Sequence, residues 1–401
     1  MGINNLYKVI KEEAPGNIKT YHLTELTGYR VAVDISVFLY KYIRSAGQVR
    51  WMNTFILLLC KFKKYGIKAV CIFDGPNPPI EKKREQEERR ANSGKIIHRM
   101  KECIRIRNKL QDDYIPYNLE IEEHLQDECR KLIGRPRGKT VIPNYEDAGS
   151  IVNSLNITIE RLEKQSFPIT SEHSEIALKI VRMLGLAGFK ADGEAETLCC
   201  YLALQGKVDA VLTEDTDVLA YGAPFMLAFK EFKLHEEKMY GIHMDSVLED
   251  MGMDMDEFRD LCIMLRCDYN KQHESILGYP PDGKKRKKAA KIGKVGSVCM
   301  IKEYRRLEEV EKHLVDASPL IYPRCREIFT DFSGLDKYLA VPYNKRPDFA
   351  ALDEFIDEHS LTITTEHIGE CWRPTKLIFE DESSEEVDDD DFETDGRILD
   401  E

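Results

Sequence analysis

Two short apolar runs, each closed by an aspartate, constrain the fold of this chain more than any other feature. Residues 29 to 34, Tyr-Arg-Val-Ala-Val-Asp, and residues 68 to 74, Lys-Ala-Val-Cys-Ile-Phe-Asp, read as β-strands. The 36 to 65 segment between them has the length and periodicity of helix. That spacing joins parallel strands through a crossover, a β-α-β unit. Two more strands are expected at 209 to 213, Asp-Ala-Val-Leu-Thr, and at 225 to 230, Phe-Met-Leu-Ala-Phe-Lys, separated from the first pair by long helical stretches. The class is α/β: a mostly parallel central sheet flanked by helices.

Between the second and third strands lies a long excursion. From Ile80 to about Leu132 it is charged, poor in glycine and helical, with Ile121, Leu125, Cys129 and Leu132 as an apolar stripe. Gly134, Pro136, Gly138, Pro143 and Gly149 then break the pattern across 134 to 170. An insertion of this size in a compact fold is usually functional, and its charge predicts a solvated element standing off the core. Downstream, Met255 to Leu265 reads as an amphipathic helix and Val298 to Val310 as another. Lys284-Lys285-Arg286-Lys287-Lys288, with Lys291 and Lys294, places seven bases in 11 residues without an acid. The expected division is 1–95 and 171–310 for the body, 96–170 for the insertion, 311–379 for a C-terminal helical part and 380–401 for a disordered tail.

Charge is unevenly placed. The chain has 58 basic and 71 acidic residues, a net of -13, but residues 380 to 401 hold 13 acids and one base. The remaining 58 acids and 57 bases leave a near-neutral body that can carry a basic face. The tail lacks the hydrophobicity to fold. No apolar run approaches the roughly 20 residues of a membrane span, and no signal-peptide pattern opens the chain, so an intracellular protein, nuclear or cytoplasmic, is expected. The 11 cysteines are odd in number, scattered and without a CxxC pair, which predicts reduced, mostly buried thiols rather than disulfides or a zinc site.

The acids sit where chemistry gathers. Asp34 and Asp74 close the first two strands, and Thr213-Glu-Asp215-Thr-Asp217 follows the third. In open parallel sheets, sites assemble at the carboxyl ends of strands. Glu194 and Glu196 stand at a helix start after Gly193, and Asp268 follows the 255 to 265 helix. Singly, each acid suits a helix cap or an Asx-turn. Glu194 and Glu196 share a face only if Glu194 lies in the loop before the helix. If all seven converge, either raised pKa values or bound cations must relieve their repulsion. All-oxygen ligation suits Mg²⁺, with Mn²⁺ as a substitute, and two such ions about 4 Å apart support in-line phosphodiester displacement. An anionic pocket of this kind needs bases to admit a phosphate. Lys82 and Arg89, two helical turns apart on one face directly after Asp74, are placed to supply them.

Met1-Gly2-Ile-Asn-Asn-Leu6 with Ala14-Pro15, Val31-Ala-Val-Asp34-Ile-Ser36, Ile72-Phe-Asp74-Gly75, Gly193-Glu194-Ala-Glu196, Thr213-Glu-Asp215-Thr-Asp217-Val-Leu219 and Cys267-Asp268-Tyr269 occur in order. Together they resemble the flap endonuclease branch of the XPG-type 5′ nucleases, whose fold is PIN-like. The resemblance implies Asp34, Asp74, Glu194 and Glu196 around one metal and Asp215, Asp217 and Asp268 toward a second, with Lys82 and Arg89 on the scissile phosphate. It implies that a base stacks on Tyr40 and that Gly2 lies near DNA. The charged excursion corresponds to a helical arch beside the 5′ single strand. Ser275 to Gly278 and the Ile292-Gly293-Lys-Val-Gly296 stretch correspond to the two halves of a helix-two-turn-helix-like element. The basic run is inserted between them, and its lysines either contact duplex phosphates or act as a nuclear import signal.

The expectation is therefore a Mg²⁺-dependent, structure-specific 5′ nuclease acting in replication or repair on 5′ flaps or 5′ ends of branched DNA, with RNA flaps as an alternative partner. A glutamine-started sliding-clamp motif is not recognisable. The rival readings are a catalytically silent branched-DNA scaffold and an RNA-processing endonuclease.

Overall fold

The computed structural model describes residues 2–46, 50–117, 119–134, 143–167, 169–229, 237–279, 281, 289–343 and 345–373. Seven strands form the central sheet: β1 (Ile18–His22), β2 (Arg30–Asp34), β3 (Lys68–Phe73), β4 (Ala187–Lys190), β5 (Ala210–Leu212), β6 (Phe225–Phe229) and β7 (Lys238–His243). Their order is β1-β7-β6-β5-β2-β3-β4. The run from β6 to β4 is parallel, while β7 is antiparallel to both β6 and β1.

The central strands are those the sequence announces. In β2, Val31, Ala32 and Val33 are buried on both faces, which is why they read as an unbroken apolar run. From β2 the chain moves outward through β3 to β4, then returns to the other side of β2 as β5. That reversal makes the carboxyl end of β2 a topological switch point, where a crevice opens between diverging connections. Strands β1, β4 and β7 were not expected. β1 is a largely exposed edge strand, and β4 is four residues containing a glycine, so neither carries a strand-like apolar run.

Helices cover both faces. Ile35–Ala46, Arg50–Lys64 and Ser171–Met183 pack on one side with Phe349–Glu358 and Thr365–Trp372; Leu6–Glu13, Ala195–Leu204, Met255–Leu265 and Lys294–Tyr304 pack on the other. All eleven cysteines are free thiols. Among the described residues no helix is long and apolar enough to cross a membrane.

The excursion differs from its expected form. Helix Ile80–Lys109 is followed by Glu123–Ile133, and the 134 to 170 stretch, read as a break, contains the 19-residue helix Ala148–Ser166. The glycine that suggested a breaker, Gly149, lies in its first turn, where Asp147 caps it by accepting from the backbone N–H of Gly149 and Ser150 at 3.2 and 2.9 Å. Nor is the insertion merely a solvated projection. Cys103, Ile106 and Leu110 bury against Leu125, Cys129, Ile151, Leu155 and Ile159 to form a core of its own. Two further departures follow Asp268. Ser275 to Gly278 is not helical: Leu277–Gly278 pairs antiparallel with Ala290–Lys291. The expected 298 to 310 helix is two, Lys294–Tyr304 and Leu307–Val310, separated at Arg305, whose φ of +67° ends the first.

Candidate active site

The site is built on the carboxyl edge of β2, β3 and β5. Asp34, the last residue of β2, is buried, and its Oδ2 accepts from the Thr213 hydroxyl just past β5 at 2.9 Å. The same hydroxyl accepts from the Asp215 N–H at 3.1 Å, and Oδ1 of Asp215 accepts from the Asp217 N–H at 3.1 Å. A compact turn thus holds both loop aspartates against the end of β2.

Asp74 follows β3 and caps the Ala195–Leu204 helix, its Oδ1 accepting from the Ala195 N–H at 2.8 Å. The loops meet closely here. The Gly75 N–H donates to the Gly193 carbonyl at 2.7 Å, and a Cβ on Gly75 would stand 2.0 Å from the Ala191 carbonyl oxygen. Glu194 is the N-cap residue of this helix and Glu196 lies in its first turn, which is how two acids at i and i+2 come to point the same way. The seventh acid, Asp268, sits in the turn after Met255–Leu265. Buried Asn270 pins that turn: it accepts from the Cys267 N–H at 3.0 Å and donates to the Ile263 and Leu320 carbonyls at 2.9 and 3.1 Å.

Six of the seven acids are buried: Asp34, Glu194, Glu196, Asp215, Asp217 and Asp268, with Asp74 more open beside them. Burial, reinforced by the neighbouring charge of Asp74, pushes Asp34 up to about 8. Burial also raises Glu196 and Asp217 well above the usual carboxylate range, with Asp215 adding to both. Glu194 and Asp215 are raised too, again by burial, with Lys82 opposing. Asp268 goes the other way: burial resists ionisation, but Lys82 and Lys271 outweigh it. Lys271 pairs with Asp268 at 2.6 Å.

Lys82 enters the cluster from the first turn of Ile80–Lys109. Its Nζ lies 2.8 Å from Asp268 Oδ2, 3.0 Å from Glu194 Oε1 and 3.5 Å from Glu196 Oε1. Arg89 is two turns along the same continuous helix, and its side chain is outside the described residues. A cleft of about 650 Å³ opens over the acids, lined also by Tyr40, Thr170, Ser171, Ser174 and Lys190. Tyr40 is partly exposed to it, with the Arg44 guanidinium 3.8 Å above its ring centroid.

Gly2 packs directly against the acidic turn, with a positive φ of +87° and no room for a side chain. Beside it the Ile3 N–H donates to the Thr216 hydroxyl at 3.0 Å. Lys284, Lys285, Arg286, Lys287 and Lys288 lie outside the described residues. Lys291 is exposed on the two-stranded ribbon, Gly293 is the N-cap residue of Lys294–Tyr304 with open space around it, and Lys294 is ion-paired with Glu12.

Sequence reasoning missed several supporting groups. Tyr269 donates to Glu194 Oε2 at 2.8 Å and shares a 2.6 Å hydroxyl contact with Tyr221. Asn270 had no distinguishing signal, because its partners lie up to 50 residues away. Thr170, Ser171, Ser174 and Lys190 join the cleft only through the fold.

The donor set is oxygen only, and both Asp217 oxygens are buried without a hydrogen-bond partner among the described residues. These features fit hard divalent cations. Among the described residues no preformed cage of three ligating groups is closed; the Lys82 ammonium stands between Glu194, Glu196 and Asp268 instead.

The fold and site define an α/β protein with a cluster of carboxylates at the switch point of a mostly parallel sheet. Family comparison agrees: residues 1–96 match the XPG N-terminal domain and residues 185–268 the XPG I-region. A probable RAD2-like endonuclease of Invertebrate iridescent virus 3 is 26% identical over 393 residues, covering 92% of this chain and 96% of the relative. Flap endonuclease 1 of Penicillium rubens is 28% identical over 353 residues, 82% of this chain and 73% of the relative. The solved catalytic core of Rad2 in complex with a DNA substrate superposes with a TM-score of 0.58 at 15% identity, covering 92% of this chain and 99% of that one, a likeness of fold. The two matched regions and these relatives together support a member of the XPG-type 5′ nuclease family, a structure-specific, hydrolytic nuclease.

Proposed function

We propose that this nuclease is Mg²⁺-dependent, with Mn²⁺ able to substitute, and that it cleaves 5′ flaps or 5′ ends of branched DNA at single-strand to duplex junctions. The observation that carries the reading is the meeting of seven carboxylates from five separate segments of the chain, six of them buried, with Asp34, Asp74, Glu194, Glu196 and Asp215 lining one cleft. Such a charge concentration is costly to fold without a cationic partner, and a scaffold gains nothing from it. Asp34, Asp74, Glu194 and Glu196 would hold one ion and Asp215, Asp217 and Asp268 a second. Bound ions of this kind activate water and neutralise the leaving oxygen in a two-metal displacement.

The chain's own groups supply the rest. The Thr213 hydroxyl, the Asn270 amide and the Tyr269 hydroxyl fix the carboxylates before substrate arrives. Lys82 and Arg89 present positive charge to the scissile phosphate. Tyr40, at the cleft mouth beside Arg44, offers a ring on which a base next to the cut stacks. Lys291 and the basic 284–288 run would extend duplex contact through phosphates, so shape rather than sequence selects the substrate.

End-labelled 5′-flap, nicked-duplex, single-stranded and RNA-flap substrates, incubated with Mg²⁺, test this. Cutting at the DNA junction by the wild-type protein, lost in Asp215→Ala, is expected. Preference for the RNA flap would move the substrate class to RNA, and binding without cutting on any substrate would leave a scaffold.

A further inference from the structure

Lys82 does more in this structure than wait for a phosphate. Its side chain is 11% exposed, and its ammonium contacts carboxylates from two elements distant in sequence: Glu194 and Glu196 around the start of the Ala195–Leu204 helix, and Asp268 after Met255–Leu265. It also lies 6.0 Å from the centroid of the Tyr269 ring, whose hydroxyl orients Glu194. Gathering oxygens from separate elements around one positive centre is the task of a bound ion, and here an ammonium performs it.

An ammonium and a divalent ion sharing any of these carboxylates repel one another strongly, so ammonium and divalent ions are alternatives there. The backbone is not required to move. Glu81, the preceding residue, is paired with Arg324 at 3.0 Å, which anchors the first turn of Ile80–Lys109 to the Tyr322–Thr330 helix. A flexible four-carbon stem lets the lysine head move alone, and the cleft it lines, shared with Tyr40 and Asp34, gives the head somewhere to go.

We propose that Lys82 is the site's own counter-cation, bridging the two groups of carboxylates and exchanging with divalent ions, one for Glu194 and Glu196 and one for Asp268, so that metal loading releases its ammonium toward the substrate cleft. The inference rests on the metal-dependent reading above. It links two steps: the lysine is free for phosphate only after the metal has taken its place, and the unloaded site stays electrostatically compensated.

The test is calorimetric titration of Mn²⁺ into metal-free protein, without DNA, for the wild type, Lys82→Gln, Lys82→Arg and Lys271→Gln. Lys82→Gln is expected to bind Mn²⁺ at least about tenfold more tightly than wild type. Lys82→Arg should stay near wild type, and Lys271→Gln, which removes a cation paired with Asp268 alone, should change less than Lys82→Gln. A measurement on the wild type alone avoids dependence on the variants' folding: the Lys82 amine should resist amine-selective acetylation in metal-free protein and label when Mn²⁺ is added. Unchanged affinity in Lys82→Gln, equal tightening in Lys271→Gln, or labelling indifferent to Mn²⁺ would each overturn the exchange while leaving the nuclease reading intact. Absence of Mn²⁺ binding in every protein would overturn both.

Discussion

A Cβ atom placed on Gly2 would stand 2.1 Å from Oδ1 of Asp215 and 2.8 Å from Oδ1 of Asp217. The start of the chain is therefore a wall of the acidic turn, fixed by the bond from the Ile3 N–H to Thr216. Gly2→Ala must push that turn away, and its positive φ adds about 1 kcal/mol of strain. Because misplacing a reacting group by about 1 Å costs on the order of 100-fold, cleavage by Gly2→Ala should fall by roughly ten- to 100-fold, with less change in substrate binding. Single-turnover rates beside flap-binding isotherms check this; an equal loss in both would show that Gly2 acts on DNA binding instead.

Asp217 is fully buried, and neither of its oxygens has a hydrogen-bond partner among the described residues. A carboxylate held like this is tolerated for function at the expense of stability. Asp217→Asn keeps the shape and removes the charge, so the metal-free variant should be more stable by about 1–2 kcal/mol at neutral pH while losing nearly all activity. Chemical denaturation in chelator reads the first effect and flap cleavage the second.

Away from the site, Asp260 is also fully buried, but it is paired. Arg326 grips it through two bonds of 2.7 and 2.6 Å, and the Leu307 N–H adds a third at 3.0 Å. Removing the guanidinium leaves a buried charge with one partner. Arg326→Met should destabilise the protein by about 3 kcal/mol, and the double change Asp260→Asn with Arg326→Met should recover part of it. A denaturation cycle of the four proteins measures the coupling.

At the antiparallel end of the sheet, His243 stacks on Phe225 with centroids 3.9 Å apart and shares a 3.0 Å contact with the Tyr21 hydroxyl. Partial burial, with Lys19 nearby, lowers its pKa below the ordinary 6.5. A depressed imidazole gives stability that is present above about 6.5 and lost as pH falls through the folded value, because only the unfolded chain takes the proton. The melting temperature should dip as pH drops below about 6.5. That part of the slope should vanish in His243→Gln, and a profile unaffected by the substitution would exclude this histidine as its source.

Much of the site was readable because it uses local grammar. Asp34 and Asp74 close strands whose apolar runs are unmistakable, and Glu194 lies before its helix, as the i to i+2 spacing demanded. The strands that escaped notice, β1, β4 and β7, lie at or near the sheet's margins, where half-exposed residues blur the pattern. The Ala148–Ser166 helix escaped because its glycine and the prolines before it look like breakers, whereas Asp147 turns that stretch into a cap.

By itself, the sequence determined the α/β class, the order of the central strands' aspartates and the oxygen-only chemistry, because periodicity and strand-end residues are local properties of a chain. Only the tertiary structure decided that β5 returns beside β2, that Asn270 and Tyr269 hold Asp268 and Glu194 in place, and that Lys82 lies among three carboxylates. Those contacts join residues 75 to 186 positions apart or hang on one side-chain rotamer. Burial and charge compensation fix them, and both exist only once the chain has closed on itself.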